Sequence, residues 1–310
     1  MLLYRSLENI PANANSRVVA IGVFDGLHVG HQRLIEEART LAAARGARST
    51  VLTFEPMPRE FLTPENPPAR LTSFRERFEL MRDMGVDELC CLRFGAVQQL
   101  DSEEFIDSLL VGHLMANAVV VGDDFRYGAG RQGTVDDLIE ASRLRDFDVR
   151  QIAPVAQRGV RVSSTAVRFA LADGKLDEAR EMLGRAYSIS GRVARGRSLG
   201  RELGFPTANI ALRRRTPALT GVFAVRVGGL AEGLRDGVAS LGTRPTIGGE
   251  GTVLEVHLFD FDEDIYGRRI EVHFVSKLRD EEKFVDLEAM RAQMLLDAEE
   301  ARAALSASMA

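Results

Sequence analysis

The sequence predicts an α/β fold in two domains, with a parallel sheet in residues 1–184 and a small antiparallel β-barrel with a terminal helix in residues 185–310. In the first part, short apolar runs alternate with amphipathic stretches, which is typical of a parallel sheet covered by helices on both faces. In the second part, short apolar alternations are divided by glycine and proline without intervening helices. The length of 310 residues suffices for two ordinary domains.

The elements of the first domain follow from hydrophobic periodicity. Continuous apolar runs indicate buried strands at 18–24, 49–54, 88–94, 117–122 and 148–153. Amphipathic periodicity indicates helices at 31–46, 74–85, 103–114 and 135–147, with two more at about 164–173 and 176–183 closing the domain. In such a sheet, ligands bind at the carboxyl ends of the strands.

The second domain shows strand patterns and one terminal helix. The strand segments read YSISGRV, GVFAVRV, GVASLG, VLEVHLF and IEVHFVS. Five apolar residues then recur at helical spacing: Phe284, Leu287, Met290, Met294 and Ala298. We interpret these five as the packing face of a terminal helix rather than as a cofactor-binding motif.

Composition excludes several classes of partner. The formal charge of −5 gives no basic field for nucleic acid. No run of 18 apolar residues exists, and the first residues lack the apolar centre of a signal peptide, so we expect a cytoplasmic protein without a membrane partner. The adjacent Cys90 and Cys91 point to opposite faces of a strand, which predicts two reduced thiols. We expect a monomer or a weak homo-oligomer.

The segment GVFDGLHVGH (22–31) is the first candidate site. It follows the first strand and opens the first helix, where phosphates bind in α/β sheets. His28 and His31 can donate hydrogen bonds to a phosphate whose charge grows during displacement. Three glycines would let the backbone approach a ligand closely: Gly22, Gly26 and Gly30. A tight turn with one capping histidine is the alternative.

A second segment, RVSSTAVR (161–168), offers hydroxyls and amides at a helix start with an arginine one turn later, which together form an anion site. The alternative is a serine N-cap with a solvated arginine. Three further segments carry aromatic and acidic residues, namely FEPMPREF (54–61), ARLTSFRER (69–77) and GDDFRYGAGRQG (122–133). The first and third follow strands, so their aromatic rings can cover a planar ligand. Gly128, Gly130 and Gly133 fit G-x-G-x-x-G, but they lie too far from the strand for a dinucleotide site.

These segments together resemble the FMN adenylyltransferase module of prokaryotic FAD synthetases, in the nucleotidyltransferase superfamily. The resemblance implies a Rossmann-like nucleotidyltransferase domain in which an already ionised FMN phosphate needs no activation, so catalysis is positioning plus charge stabilisation. It implies catalytic roles for His28, His31, Ser164 and Arg168. The implied ATP contacts are Gly22, Phe24, Asp25, Ser163 and Thr165. The implied flavin contacts are Phe54, Pro56, Pro58, Asp123, Asp124, Phe125 and Tyr127. The histidine and serine–arginine elements alone leave open another acceptor, such as nicotinate mononucleotide or phosphopantetheine.

The segment GRVARGRSLGRELGFPTANI (191–210) is the second candidate site. A Gly/Arg-rich loop between strands suggests phosphate binding, and the chain contains no P-loop motif. Thr207 and Asn209 are neutral oxygen ligands suited to Mg²⁺. Glu255 is a carboxylate within a predicted strand and can accept a proton from a hydroxyl. The alternatives are a solvated hairpin, a turn and an exposed strand residue.

The segments GFPTAN, GTRPTIGG, LEVHLFDF and KLRDEEKF resemble riboflavin kinase. That resemblance implies a small barrel that uses Mg-ATP, with Thr207 and Asn209 at the metal and Glu255 as base for the ribityl 5′-hydroxyl. Arg279 and Phe284 would border the flavin. The implied ATP-binding positions are Gly191, Gly196, Gly200 and Arg201. Met57, Ser73 and Arg195 fall in variable motif positions.

The chain is thus identified as a member of the prokaryotic bifunctional riboflavin kinase/FMN adenylyltransferase family. The resemblance implies Mg²⁺ as cofactor, ATP as co-substrate, and riboflavin, FMN and FAD as substrates and products, with pyrophosphate released in the second step. The alternative is an adenylyltransferase whose barrel is a non-catalytic flavin-binding module.

Overall fold

A computed structural model describes residues 1–11, 16–195, 204–212, 216–230, 233–246 and 249–308. The chain divides into two compact units, Met1–Pro68 with Thr72–Ser163 and Ala69–Leu71 with Ser164–Ala310. In the described part no helix is long and apolar enough to cross a membrane. Three predicted ATP-binding positions, Gly196, Gly200 and Arg201, lie outside the described residues.

The first unit contains the predicted parallel sheet, with six strands in the order β1-β4-β3-β2-β5-β6. The strands are β1 (Leu2–Tyr4), β2 (Arg17–Ile21), β3 (Arg48–Phe54), β4 (Glu88–Leu92), β5 (Ala116–Gly122) and β6 (Asp148–Ile152). A short hairpin follows, β7 (Ala156–Gln157) and β8 (Val160–Arg161). Strand β1 escaped sequence prediction because it has only three residues, of which one is buried.

Both faces of this sheet are buried, which explains the continuous apolar runs. In β2, Val18 and Ala20 join the core on one face, while Val19 and Ile21 join the core on the other. Cys90 and Cys91 separate between the same two cores as free thiols, as predicted. Burial raises the pKa of Cys90 to about 12.

The helices of the first unit follow the strands. They are α1 (Val29–Arg45), α2 (Pro58–Leu62), α3 (Phe74–Asp83), α4 (Phe94–Val97), α5 (Ser102–Glu104, continuing as a π-helix over Phe105–His113) and α6 (Val135–Leu144). Helix α1 begins after the N-cap His28 and ends at Gly46, which has a φ of 61°. This glycine ends the helix in the left-handed conformation that other residues resist.

The second unit is a closed antiparallel barrel with helices outside it. Its strands run in the order β10-β13-β12-β11-β14-β9. They are β9 (Ser188–Ala194), β10 (Ala208–Leu212), β11 (Gly221–Gly228), β12 (Arg235–Thr246), β13 (Gly249–Leu258) and β14 (Arg269–Arg279). Helices α7 (Ser164–Ala172) and α8 (Leu176–Leu183) also fall in this unit, where α8 contacts β14. The boundary at residue 184 stays a prediction.

Helix α9 (Leu287–Ala307) packs on the outside of the barrel. Ala301 and Leu305 are fully buried there, and Ala298 is half-buried. The predicted packing face is therefore displaced toward the C-terminus. Phe284 precedes the helix, which begins after the N-cap Asp286, and Leu287 is 54% exposed.

Candidate active sites

The turn from β2 into α1 has an unusual backbone. Phe24, Gly26 and Leu27 have φ values of 55°, 79° and 43°. Such a turn persists only when its surroundings hold it in place. The buried Asp25 carboxylate does so by accepting hydrogen bonds from the backbone N–H and the hydroxyl of Thr72 at 3.0 and 3.1 Å, while that hydroxyl accepts the Gly26 N–H at 2.9 Å. The Asp25 carboxylate thus stabilises the turn through its hydrogen bonds to Thr72.

A buried arginine of helix α3 stabilises the same turn. The Arg77 guanidinium donates to the backbone oxygen of Val23 at 2.8 Å and pairs with Glu55 at 2.5 Å. Glu55 precedes the cis peptide bond to Pro56. Arg77 therefore ties the turn after β2 to the segment after β3, so the two motifs converge at one sheet edge.

The two histidines of the turn lie against each other. The His28 and His31 rings are stacked, with centroids 3.6 Å apart, and the Phe24 ring lies 5.1 Å from His31. His28 Nδ1 accepts the backbone N–H of His31 at 3.3 Å, which leaves the proton of a neutral His28 ring on Nε2. Gly30 permits this packing, because a Cβ there would lie 3.2 Å from Cε1 and Nδ1 of His28.

His31 is held in its neutral form. Burial lowers its pKa well below the ordinary 6.5, and the neighbouring His28 and Arg77 lower it further. Its Nδ1 atom is buried and has no hydrogen-bond partner within the described residues. A neutral imidazole carries one N–H, so His31 can serve a ligand as a hydrogen-bond donor without a fixed charge.

His31 lines a cavity of about 500 Å³ at the carboxyl ends of the strands. The predicted residues that line it are Gly22, Phe24, His31, Phe54, Pro58, Asp124, Phe125 and Tyr127. The Phe125 and Tyr127 rings are stacked with centroids 5.8 Å apart, and burial raises the pKa of Tyr127 to about 12. The cavity combines apolar ring surfaces with one hydrogen-bonding edge, which suits a planar aromatic ligand that carries a polar tail.

Further residues of this cavity escaped the sequence analysis. Phe94 stands edge-on to Phe54, with ring centroids 5.8 Å apart, and Phe105 and Arg131 line the same space. Their sequence segments are typical of core helices or loops. These residues lie at the sheet edge only because of the tertiary fold.

Several predicted residues lie outside the lining of this cavity. His28 and Asp25 are buried beneath the turn, Pro56 is exposed, and Asp123 forms a two-point ion pair with Arg161 at 2.6 and 3.0 Å. This ion pair fixes the strand end that carries Asp124 and Phe125.

The serine–arginine element spans the end of the first unit and the start of the second. Ser163 ends the first unit, whereas Ser164, Thr165 and Arg168 lie in the first turns of α7. Arg168 Nε donates to the backbone oxygen of Ala69 at 2.6 Å, within the second unit. The predicted phosphate-binding role of this element stays a prediction.

On the barrel, strand register aligns five side chains in one row. Glu255 is paired across β13 with Asn209 on β10 and with Ser240 on β12. The row continues through Val222 on β11 to Arg279 on β14. Paired residues point to the same side of a sheet, and the flanking Leu254 and Val256 are fully buried, so the row lies on the outer surface of the barrel.

A cavity of about 240 Å³ covers this row. The barrel contributes Val222, Ser240, Glu255, His257 and Arg279 to its lining, and the terminal segment contributes Phe284, Met290, Met294 and Asp297. The sequence analysis assigned Met290 and Met294 to the packing face of α9, whereas the structure has them half-buried in the lining of this cavity. Asp297, Ser240 and His257 were not predicted as site residues.

Thr207 joins the first barrel cavity to a second one. The second cavity measures about 420 Å³ and is lined by the start of β10 and the acidic segment 261–266. Thr207 lines both cavities, and its backbone oxygen accepts the side-chain N–H of Asn209 at 3.3 Å. His257 Nδ1 contacts the backbone oxygen of Pro206 at 2.9 Å, which anchors the segment before Thr207.

Two other predicted barrel residues have clear surroundings. Gly191 lies in β9 and is buried, and a Cβ at this position would clash with Ile210, so barrel packing itself requires the glycine. Arg279 binds Asp297, and its guanidinium carbon lies 5.7 Å from the centre of the Phe284 ring.

The donor set near Thr207 fits a magnesium ion that is shared with a phosphate ligand. Thr207 and Asn209 offer neutral oxygens beside the Glu255 carboxylate. Within the described ranges no group of three or more His, Cys, Asp or Glu side chains could hold a metal alone. Mg²⁺ retains waters and takes substrate phosphates as ligands, so a sparse protein donor set is what it requires.

The fold defines an α/β protein of two units, a parallel-sheet unit and a barrel unit, with a ligand-sized cavity in each. Family models of FAD synthetase and riboflavin kinase match residues 10–166 and 183–305. The bifunctional riboflavin kinase/FMN adenylyltransferase from Escherichia coli (strain K12) is 44% identical, and the match covers 96% of this chain and 96% of the relative. The enzyme of the same name from Pseudomonas fluorescens is also 44% identical, and the match covers 98% of this chain and 97% of the relative. The chain belongs to the bifunctional riboflavin kinase/FMN adenylyltransferase family, as predicted.

A solved structure shares the whole architecture. A crystal structure named Macrolide-efflux Protein from Streptococcus pneumoniae is 31% identical, with a TM-score of 0.83, and the match covers 97% of this chain and 98% of the other. The predicted fold class is confirmed by the parallel sheet, the closed barrel and the terminal helix.

Proposed function

We propose that this chain phosphorylates riboflavin to FMN and then adenylylates FMN to FAD, consuming one ATP in each step. Adenylylation is assigned to residues 1–184 and phosphorylation to residues 185–310. The observation that carries the proposal is that the described residues of each family match line cavities with the chemistry its reaction needs, one in the first unit and two adjoining ones on the barrel.

In the adenylylation step, an oxygen of the FMN phosphate attacks the α-phosphorus of ATP. A new P–O bond forms, the bond between the α-phosphorus and the bridging oxygen breaks, and pyrophosphate leaves. The flavin ring lies among Phe54, Phe125 and Tyr127, and the phosphates approach His31. His28 holds the backbone N–H of His31, and both neutral rings can donate to oxygens whose charge grows during displacement.

In the phosphorylation step, the riboflavin 5′-hydroxyl attacks the γ-phosphorus of ATP. Glu255 accepts the hydroxyl proton, the P–O bond to the ribityl oxygen forms, the bond between the γ-phosphorus and the bridging oxygen breaks, and ADP leaves. Riboflavin occupies the cavity over the barrel row, and ATP occupies the neighbouring cavity that shares Thr207. Glu255 lies beside Asn209 in the register, which places the base next to the proposed phosphate end of the site.

A bound Mg²⁺ would neutralise phosphate charge during transfer. Thr207 and Asn209 are the residues proposed to hold it, through oxygen atoms that neutral side chains provide. The predicted ATP-binding roles of the Gly/Arg segment remain part of this proposal, as does the phosphate-binding role of Ser164 and Arg168.

The alternative of a non-catalytic barrel is disfavoured. A binding module needs neither a carboxylate beside the ligand cavity nor oxygen donors between two cavities, and this barrel has both. The riboflavin kinase match over 183–305 supports the same choice. The FAD synthetase match over 10–166 likewise favours FMN over another acceptor in the first unit.

Two variants test the division of labour. The purified chain is incubated with riboflavin, ATP and Mg²⁺, and the flavins are separated by chromatography. We expect His28→Ala to accumulate FMN without FAD, and Glu255→Ala to leave riboflavin unchanged while still converting added FMN to FAD. A variant that retains the activity assigned to its altered unit would contradict the assignment.

The setting of the enzyme is also proposed. Small-molecule substrates are its expected partners, and a cytoplasmic location and a monomer or weak homo-oligomer stay predictions. Light scattering of the purified chain measures the oligomeric state directly.

A further inference from the structure

A buried aspartate lies on the largely apolar face of α9 that meets the barrel. Asp297 is 4% exposed, whereas the positions around it on the same face are Met294, Ala298 and Ala301. A charged carboxylate in such a place is costly unless it is paired and hydrogen-bonded.

Its partner is Arg279, at the end of the barrel row that contains Glu255. Arg279 Nε and Nη2 donate to the two Asp297 oxygens, each at 2.7 Å, and Gln293 donates to one of them at 3.0 Å. The third guanidinium nitrogen donates to the backbone oxygen of Asp280 at 3.0 Å and lies 3.3 Å from Glu282. Each of the three guanidinium nitrogens of Arg279 therefore donates to a protein oxygen.

Attachment of the helix does not require this pair. Ala301 and Leu305 already bury the helix against Phe259 and Ala224, and Arg302 forms a separate two-point ion pair with Asp260 at 3.0 and 3.2 Å. Replacing a buried ion pair by apolar residues is often neutral or stabilising. We therefore interpret the buried ion pair as a contact that fixes the geometry of neighbouring side chains rather than as one that the packing of the helix needs.

The geometry in question is that of the riboflavin cavity. Arg279 and Asp297 both line it, together with Phe284 and the helical residues Met290 and Met294. The two methionines lie one and two turns before Asp297, so the ion pair fixes their height above the barrel row. Phe284 is positioned by the same guanidinium, 5.7 Å from its ring centre.

We infer that Asp297 is a positioning residue for riboflavin phosphorylation. Acting through Arg279, it holds Phe284, Met290 and Met294 over the barrel row at the height that seats the flavin ring beside Glu255. Because each of its three guanidinium nitrogens already contacts a protein oxygen, Arg279 is assigned to positioning the ring and not to binding a ligand phosphate. This inference rests on the proposed kinase function of the barrel.

The test compares two aspartates that tie the same helix to the barrel. Asp297→Asn weakens the pair at the cavity, and Asp260→Asn weakens the pair away from it. Asn is tolerated at 260, where φ is 53°. The full chain is used throughout, with riboflavin binding followed by quenching of flavin fluorescence and with FMN formation measured by chromatography.

For Asp297→Asn we expect Kd and KM for riboflavin to rise about tenfold, with KM for ATP unchanged within twofold. Conversion of added FMN to FAD by the same chain should also stay within twofold, which shows that the first unit is intact, while the unchanged KM for ATP reports on the fold of the barrel. Asp260→Asn should leave all four quantities within twofold. Unchanged riboflavin binding in Asp297→Asn, or equal losses in both variants, would overturn the inference in favour of simple helix attachment.

A second variant removes the ion pair without leaving a buried charge. In Arg279→Met with Asp297→Leu we expect a thermal unfolding midpoint at or above that of the unaltered chain and riboflavin binding about tenfold weaker. If this double variant binds riboflavin as tightly as the unaltered chain, the inference is wrong even should Asp297→Asn fail to fold. If the unaltered chain binds riboflavin but makes no FMN, the proposed kinase function fails instead.

Discussion

Gly30 offers a prediction that separates stability from activity. A Cβ at this position would lie 3.2 Å from both Cε1 and Nδ1 of His28, which is closer than ordinary contact, so Gly30→Ala must move the ring by a few tenths of an ångström. The bond from the His31 N–H to His28 Nδ1 is already long at 3.3 Å and will break. The stacked rings, 3.6 Å apart, will shift with it.

The effects on stability should nearly cancel. Loss of the His28 cap costs about 1 kcal/mol. Alanine in place of glycine within a helix gains about 1 kcal/mol. Displacement of a positioning group by 1 Å costs about 100-fold in rate. A shift of a few tenths of an ångström should therefore lower the rate of FMN adenylylation about tenfold, which corresponds to an increase of about 1.4 kcal/mol in its activation free energy.

Gly46 at the other end of α1 provides the matched control. It has a φ of 61° and open space around its Cα, so Gly46→Ala strains the backbone without touching the histidines. We expect Gly46→Ala to lose about 1 kcal/mol of unfolding free energy and to keep its activity. Chemical denaturation and chromatography of FAD measure the two quantities, with FMN formation as internal reference. FAD formation by Gly30→Ala within twofold of the unaltered chain would refute the reasoning.

Two further predictions concern His31 and Thr207. Burial lowers the pKa of His31 in the folded chain. As the pH falls below about 6.5, the unfolded chain therefore binds a proton at this residue that the folded chain does not bind. The free energy of unfolding should fall as a result, by at most about 1.4 kcal/mol at pH 5.5. His31→Gln should flatten this pH dependence in denaturation curves, and an unchanged slope would contradict it. Thr207→Val should raise the Mg²⁺ concentration for half-maximal FMN formation about tenfold, with riboflavin binding unchanged; an unaltered Mg²⁺ requirement would exclude the proposed ligand.

Local periodicity accounts for most of what the sequence could predict about the fold. The strands of the first unit read as continuous apolar runs because both sheet faces are buried, and the barrel strands alternate because their outer face is partly exposed. The predicted helix at 103–114 exists, but its π-helical hydrogen bonding from Phe105 depends on tertiary packing that periodicity does not report. The observed boundaries of the elements differ from the predicted ones where a capping residue or a turn begins or ends the element, as at the N-cap Asp286 of α9.

The candidate sites divide in the same way. His31 and Glu255 lie in short motifs whose residue types declare a chemistry, so sequence could find them. Asp297 could not be found in this way, because its partner is 18 residues away on a strand and its meaning depends on which face of α9 meets the barrel. Phe94 escaped prediction for a similar reason, because it follows β4 and meets Phe54, at the end of β3, only once the two strands lie side by side.

The ionisable groups of the two flavin cavities differ as their proposed reactions require. FMN enters the first cavity with an ionised phosphate, so the reacting edge needs hydrogen-bond donors and no base, and His31 is held neutral there. Riboflavin brings a hydroxyl whose proton must leave, and the barrel row places the Glu255 carboxylate between Asn209 and Ser240. Exchanging the two substrates would bring the hydroxyl of riboflavin to the neutral His31 and the phosphate of FMN to the Glu255 carboxylate. The side chains of each site therefore match the reaction proposed for it.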